Sequence, residues 1–406
     1  MIPVLPRYLA AAIGARLADE GARVSIVLLA LDQTGSATVG GLLVAALMVP
    51  HVAAAPLAGA AADRARRRKP LYLAAFVAYA LALTGAAVLV GPATWAAAAL
   101  LLVGGCLAPL LFGGLSSLIR ELVPENTGRA FGFDATTYSV AGIAGPALAA
   151  LVAGFAGAAW SMVTLGGFAL LGAAAFLTLP LGSSPSSVRG TRAVRPLSAF
   201  VVMARRPRLG AVTAATGISQ FGFGALPLAA AAIATARHDP PLTGLIMAVT
   251  AVGGLIGSLL TTRIPVVHRH PERTLLLCTA AMAVPFLPPA FLPGTWPVIA
   301  LAGLLMGPVT VALFSVRDRE SPSSMRTQVF TLGAGIKVTS AAAGAAAGGL
   351  LSHAGSGLLL AVIAAVQVVA ATAGLLILRR GYADRRGSRR ADRPVPGLRE
   401  PGHRGT

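Results

Sequence analysis

Residues 63–90 read DRARRRKPLYLAAFVAYALALTGAAVLV. Five basic residues lie between 64 and 69, and Leu71–Val90 then runs for 20 residues without a charge. An uncharged apolar run of about 20 residues is what a helix needs to cross the hydrocarbon core of a bilayer. A basic cluster at its edge is what holds a loop on the cytoplasmic side. The pattern repeats along the chain, as in Trp95–Ile119. Of 406 residues, 56% are hydrophobic and 12% charged, about half the charge of a soluble domain; mean hydropathy is +0.77. The 47 glycines and 28 prolines would weaken a soluble helical protein but are common in membrane helices, where small residues let helices approach. The fold class is therefore all-α, a polytopic membrane protein.

Apolar runs read against breakers give twelve spans: 8–31, 38–62, 70–90, 95–119, 133–155, 160–181, 209–235, 243–262, 274–292, 296–316, 328–351 and 356–378. Loops on one side carry the cluster at 64–69, then Arg120 and Arg129, six arginines in 189–208, Arg263, Arg269 and Arg273, and Arg317, Arg319 and Arg326. Loops on the other side carry Arg237 alone. The positive-inside rule then puts both termini in the cytoplasm. Arginine outnumbers lysine 31 to 2 and alanine is abundant, a high-GC bacterial bias that points to a plasma membrane.

A net charge of +19 would suggest nucleic acid in a soluble protein. Here the basic clusters punctuate spans and lack interleaved aromatics, so no nucleic-acid partner is expected. Cys106 and Cys278 fall inside spans and read as packing residues, and no cofactor or metal site is expected. A lipid-linked transferase would need clustered acids such as Asp-x-x-x-Asp at a membrane face, and the acids show none.

The polar stretch 182–208 divides the chain into an N-terminal six-helix bundle, 1–181, and a C-terminal one, 209–380. Within this linker, LSAFVVMA reads as a short helix on the membrane surface, and 381–406 as a disordered basic tail. The halves repeat: IRELVPENTGRAFGF (119–133) resembles VRDRESPSSMRTQVF (316–330). At an offset of 197, Arg120 falls on Arg317, Glu121 on Asp318 and Arg129 on Arg326. Two repeated halves are a transporter design with the substrate site between them, and such a chain needs no second copy, so a monomer is expected.

These residues resemble the major facilitator superfamily. GAAADRARRRKPL (59–71) is similar to its loop signature between spans two and three, Gly-x-Leu-Ala-Asp-Arg-x-Gly-Arg-Arg-x-x-Leu. Gly59, Ala62, Asp63, Arg64, Arg67, Arg68 and Leu71 match, while Ala61 and Arg66 depart. The resemblance implies that Asp63, Arg64 and Arg67 help lock a cytoplasmic gate, with Glu121 and Asp134 as partners for Arg64 or Arg67. GFDATTYSVAGIAGPALAA (132–150) resembles the antiporter signature of span five, with Gly132, Gly145 and Pro146 in place and alanine at 141, 149 and 150 where the family has glycine. That resemblance implies export by antiport, although generic small-residue packing would read the same way. Exporters of this type often carry an Arg inside span four; 95–119 has no charge.

Against this background ARLADEGARVS (15–25) stands out, because it puts Arg16, Asp19, Glu20 and Arg23 inside the first span. They fall on one helical face roughly 100° wide, with either Arg able to reach both acids. Charges at the bilayer centre cost at least ~2.5–3.5 kcal/mol each, so the face must meet protein or water. Span one lines the cavity in the family fold, making the quartet a candidate proton-coupling or substrate site; a structural Arg–carboxylate lattice is the bland reading. His51, Gln220 with Phe221 and Phe223, and Lys337 are further intramembrane candidates for the cavity, although a lone buried His is more often structural. The expectation is a proton-coupled exporter of a small, moderately apolar organic molecule. The alternative is an importer or facilitator of a small polar or anionic metabolite, with Arg16, Arg23 and Lys337 binding the anion.

Overall fold

The computed structural model describes residues 3–182, 198–239, 241–263, 269–351 and 355–391. The first half holds α1 (Val4–Thr34), α2 (Ala37–Arg64), α3 (Arg68–Leu89), α4 (Thr94–Ser117), α5 (Thr127–Ala156) and α6 (Ala158–Leu177). A linker helix, α7 (Ser198–Arg205), follows. The second half holds α8 (Pro207–Ala236), α9 (Pro241–Thr261), α10 (Pro271–Phe291), α11 (Gly294–Glu320), α12 (Arg326–Leu350) and α13 (Gly355–Ala391).

Among the described residues ten helices are long and apolar enough to cross a membrane, and α2, bent by 44° at Val52, makes eleven. The bend falls between Pro50 and Pro56, each of which lacks the N–H of a regular helical bond. α1 completes the twelve by length, at 31 residues; only its internal charges set it apart.

Packing repeats between the halves. α1 lies on α5 and α6, α3 on α4 and α6, and α2 on α4. In the second half α8 lies on α12 and α13, α10 on α11 and α13, and α9 on α11. Adding seven to each label of the first set gives the second. The halves meet along two seams, α2 with α12 and α5 with α9, which the same relation exchanges.

Arg7 at the start of α1 donates to the carbonyl of Thr178 after α6 (2.8 Å). Gly374, late in α13, packs against Ala211 near the start of α8. The chain thus enters and leaves at one end, which also carries Arg68, Arg120, Arg208 and Arg326 and is called the basic end below. α7 buries Ala199 and Met203 and exposes Phe200 and Val201; the segment LSAFVVMA, read as a short surface helix, is helical from Ser198.

One expectation is corrected. The tail was read as disordered from residue 381, but α13 continues to Ala391. Its arginines and alanines favour helix, and no proline intervenes before Pro394. The remainder of that tail, 392–406, and the linker residues 183–197 lie outside the described residues.

Candidate functional site

A cavity of about 500 Å³ lies between the halves, a drug-sized volume. On the first-half wall it meets Asp19, Glu20 and Arg23 of α1, His51 of α2, Phe112 of α4 and Tyr138 of α5. On the second-half wall it meets Gln220 and Phe223 of α8, Arg317 of α11 and Lys337 of α12.

The charged quartet of α1 is split. Arg23 spans both acids, donating to Asp19 Oδ2 (2.7 Å) and Glu20 Oε2 (2.9 Å). Tyr79 of α3 donates to the other Asp19 oxygen (2.7 Å), so Asp19 is fully engaged. The Glu20 side chain is 27% exposed and lines the cavity. Arg16 was expected to reach the same acids but turns to the opposite flank. It donates to the Asp134 carboxylate (2.7 Å) and carbonyl (3.0 Å), to Thr137 and to Ser116 (3.0 Å), and stacks on Tyr138 at 3.6 Å. Arg16 stands three residues before Asp19 and four before Glu20, within reach of both along α1, but its guanidinium is taken up by Asp134 of α5.

Asp134 is therefore no gate partner for Arg64 or Arg67. It is fully buried seven residues into α5 and also accepts from Tyr8 (2.7 Å) and Ser116 (2.6 Å). Glu121 pairs with Arg68 (3.1 Å) in place of Arg64 or Arg67, because Arg68 is the residue that opens α3. Arg67 is exposed. Asp63 behaves as an acid facing a helix start should: it accepts from the backbone N–H of Thr327 (3.0 Å) and Gln328 (2.8 Å), in the first turn of α12. Gly59 makes that approach possible, since a Cβ there would lie 2.5 Å from Gln328 Cα. Thr331 and Gln328 of α12 donate to the carbonyls of Ala55 (2.8 Å) and Pro56 (3.4 Å). Arg120 reaches across to Asp318 (2.6 Å), which Arg326 also faces (3.4 Å). These contacts clasp the halves at the basic end.

The span-five residues pack in two directions. Gly145 lies against Gly21 and Glu20 of α1, where a Cβ would stand 2.9 Å from Gly21 N. Gly132 meets Thr262 just after α9, in the other half. Pro146 sits inside α5 without ending it. Phe221 is not on the cavity wall: its carbonyl edge packs against Gly344 of α12, while Phe223, two residues on and turned to the other side of the helix, lines the cavity beside Phe286 (5.7 Å). His51 is buried edge-on to Phe112 (5.9 Å).

Two features escaped the sequence. Arg317, read as a loop residue, sits within α11, is 1% exposed and lines the cavity. Beneath the cavity, Phe131, Phe314 and Phe330 form a ring cluster with centroids 5.8–6.2 Å apart. Tyr138 joins Phe314 (6.0 Å) and Phe112 joins Tyr138 (6.2 Å). This floor runs from the cavity, which Phe314 and Tyr138 line, toward the clasp, where Gln328 stands two residues before Phe330. A π-turn at Leu110–Gly114, next to Pro109, swings Phe112 into the cavity and brings Gly113 against the Phe330 carbonyl.

A family model described as the Major Facilitator Superfamily matches residues 8–336. The chain belongs to the major facilitator superfamily. It is 29% identical over 364 residues to an uncharacterized MFS-type transporter, y4rN, of Sinorhizobium fredii, covering 82% of this chain and 85% of that one. Its fold is similar to the human organic anion transporter MFSD10 (TM-score 0.74, 17% identity, 92% of this chain and 100% of that one). It is also similar to a bacterial homologue of the iron transporter ferroportin in an outward-facing state (0.71, 16%, 94% and 100%). The proton:xylose symporter XylE is a third likeness (0.69, 14%, 92% and 96%). At these identities the likeness is one of fold. As a member of this superfamily, the chain is a multi-pass membrane transporter.

Proposed function

We propose that this superfamily member is a proton-coupled exporter of a small organic molecule, working as a monomer by alternating access in a bacterial plasma membrane with its basic end cytoplasmic. The observation that carries the reading is the Arg23 fork holding Asp19 and Glu20 at the cavity wall. A carboxylate stays charged beside a guanidinium and takes up a proton when that partner leaves. Arg23 is the movable member, because its side chain is 33% exposed and both its bonds lie within one turn of α1. A change of its rotamer releases Glu20 while Tyr79 still anchors Asp19. One charge moving through ~100 mV supplies about 2.3 kcal/mol, enough to bias the cycle. The match to the antiporter signature favours export, and its Gly145 packs on α1 directly beside Glu20. The clasp at Asp63 and Asp318 and the aromatic floor would be the cytoplasmic gate.

The test is expression in a bacterial strain hypersensitive to toxic organic compounds, screened against a compound collection. Wild type should confer resistance that a protonophore removes, and the double variant Asp19→Asn, Glu20→Gln should confer none at equal membrane abundance. Resistance undiminished in that variant refutes the coupling. Sensitisation by wild type refutes export and favours an importer.

A further inference from the structure

We infer that the substrate is an organic anion, a carboxylate or comparable monoanion on an apolar body, whose charge is held between Arg317 and Lys337. The inference deepens the reading above and rests on the cavity being the transport site. Arg317 is 1% exposed, and neither its Nε nor its Nη2 makes a hydrogen bond among the described residues. Its sequence neighbour Asp318 is turned away to Arg120 and Arg326. Among the described residues no carboxylate stands on the second-half wall; the cavity's acids, Asp19 and Glu20, are both held by Arg23 on the opposite wall.

The geometry pairs the two cations. The Arg317 guanidinium lies against Gly333 of α12, where a Cβ would stand 2.3 Å from its Cζ. Lys337 follows four residues on, on the same face and about 6 Å along the helix axis. One small anion can therefore touch both. An unpaired buried guanidinium is costly, and a planar fork that matches a carboxylate in two bonds makes it a strong receiver when an anion arrives. The rest of the lining is apolar, including Phe112, Phe223, Met247 and Met306, and suits an aromatic or aliphatic body.

The experiment is equilibrium binding to the full chain in lipid nanodiscs, without a pH gradient, so that proton coupling plays no part in the readout. The probes are biphenyl-4-carboxylate, its amide, and 4-(aminomethyl)biphenyl, which share a body and differ in charge. The carboxylate should bind at least tenfold more tightly than either relative. Arg317→Gln and Lys337→Gln should each erase most of that preference while leaving amide affinity alone. Gly333→Ala, which pushes the guanidinium aside without removing a charge, should weaken carboxylate binding several-fold and serves if Arg317→Gln is unstable. Equal or tighter binding of the amide or the amine overturns the inference. So does wild-type carboxylate affinity in both glutamine variants, or no carboxylate binding at millimolar concentration.

Discussion

Arg16 in the first half and Arg317 in the second are the two largest fully buried side chains among the described residues, and they are held in opposite ways. Arg16 is enclosed by Asp134, Thr137 and Ser116 and covered by the ring of Tyr138. Arg317 has a glycine on one side and the cavity on the other, and no carboxylate among the described residues pairs with it. The first arrangement is architecture: a buried charge that Asp134 neutralises, with only its Nε left without a hydrogen bond, tying α1 to α4 and α5. The second is an open valence. The same residue type at similar burial thus serves assembly in one bundle and recognition in the other, and burial alone would not have separated them.

The contrast can be broken by measurement. The largest effect should come from Arg16→Ala or Asp134→Ala, which strand a buried charge and should cost about 3–5 kcal/mol. Thermal unfolding in detergent reads the loss, and the double variant Arg16→Met, Asp134→Leu should recover much of it. If Arg16 were as unpaired as Arg317, the single variants would not be worse than the double. Arg317→Met should have the opposite sign and raise the unfolding temperature, because it removes a charge that nothing neutralises. Next in size is Ser116→Ala, which leaves an Arg16 Nη2 donor unmet and removes the bond to Asp134 Oδ2 (2.6 Å), at about 1–3 kcal/mol.

The asymmetry extends to the seams. Asp63 caps α12 on one, whereas Gly132 meets the side chain of Thr262 on the other. Asp63→Asn should weaken the clasp by about 0.3–1 kcal/mol, seen as increased labelling of a cysteine placed on the basic-end side of the floor. Arg67→Ala should change stability by no more than about 0.5 kcal/mol, since the side chain is exposed.

The fold was legible because bilayer thickness and loop charge act locally along the chain. Uncharged runs mark the spans, and the repeat at an offset of 197 marks the halves. The Arg23 fork was legible too, because i to i+3 and i+4 spacing decides contact on one helix. Arg16 was not: its partner lies 118 residues away, and nothing in ARLADEGARVS distinguishes it from Arg23. Arg317 was hidden by its neighbours. VRDRE looks like a loop, yet α11 runs to Glu320 and turns one residue of the cluster inward. Its repeat counterpart Arg120 is 49% exposed and bridges to Asp318, so the alignment of halves also suggested a surface role. The helical spacing from Phe314 to Arg317, which puts both on one face, was the available clue. The floor was invisible because its three rings come from distant segments, at 131, 314 and 330.

Those rings have mixed ownership, Phe131 from one bundle and Phe314 and Phe330 from the other. A plug built jointly cannot stay intact while the bundles part at that end, nor can it hinge aside with one of them. Each ring pair contributes about 0.5–1.5 kcal/mol, so the barrier to passage and the cohesion of this conformation come from the same atoms. On the proposed reading of this cluster as the gate, passage requires the bundles to part, which is what separates a carrier from a pore.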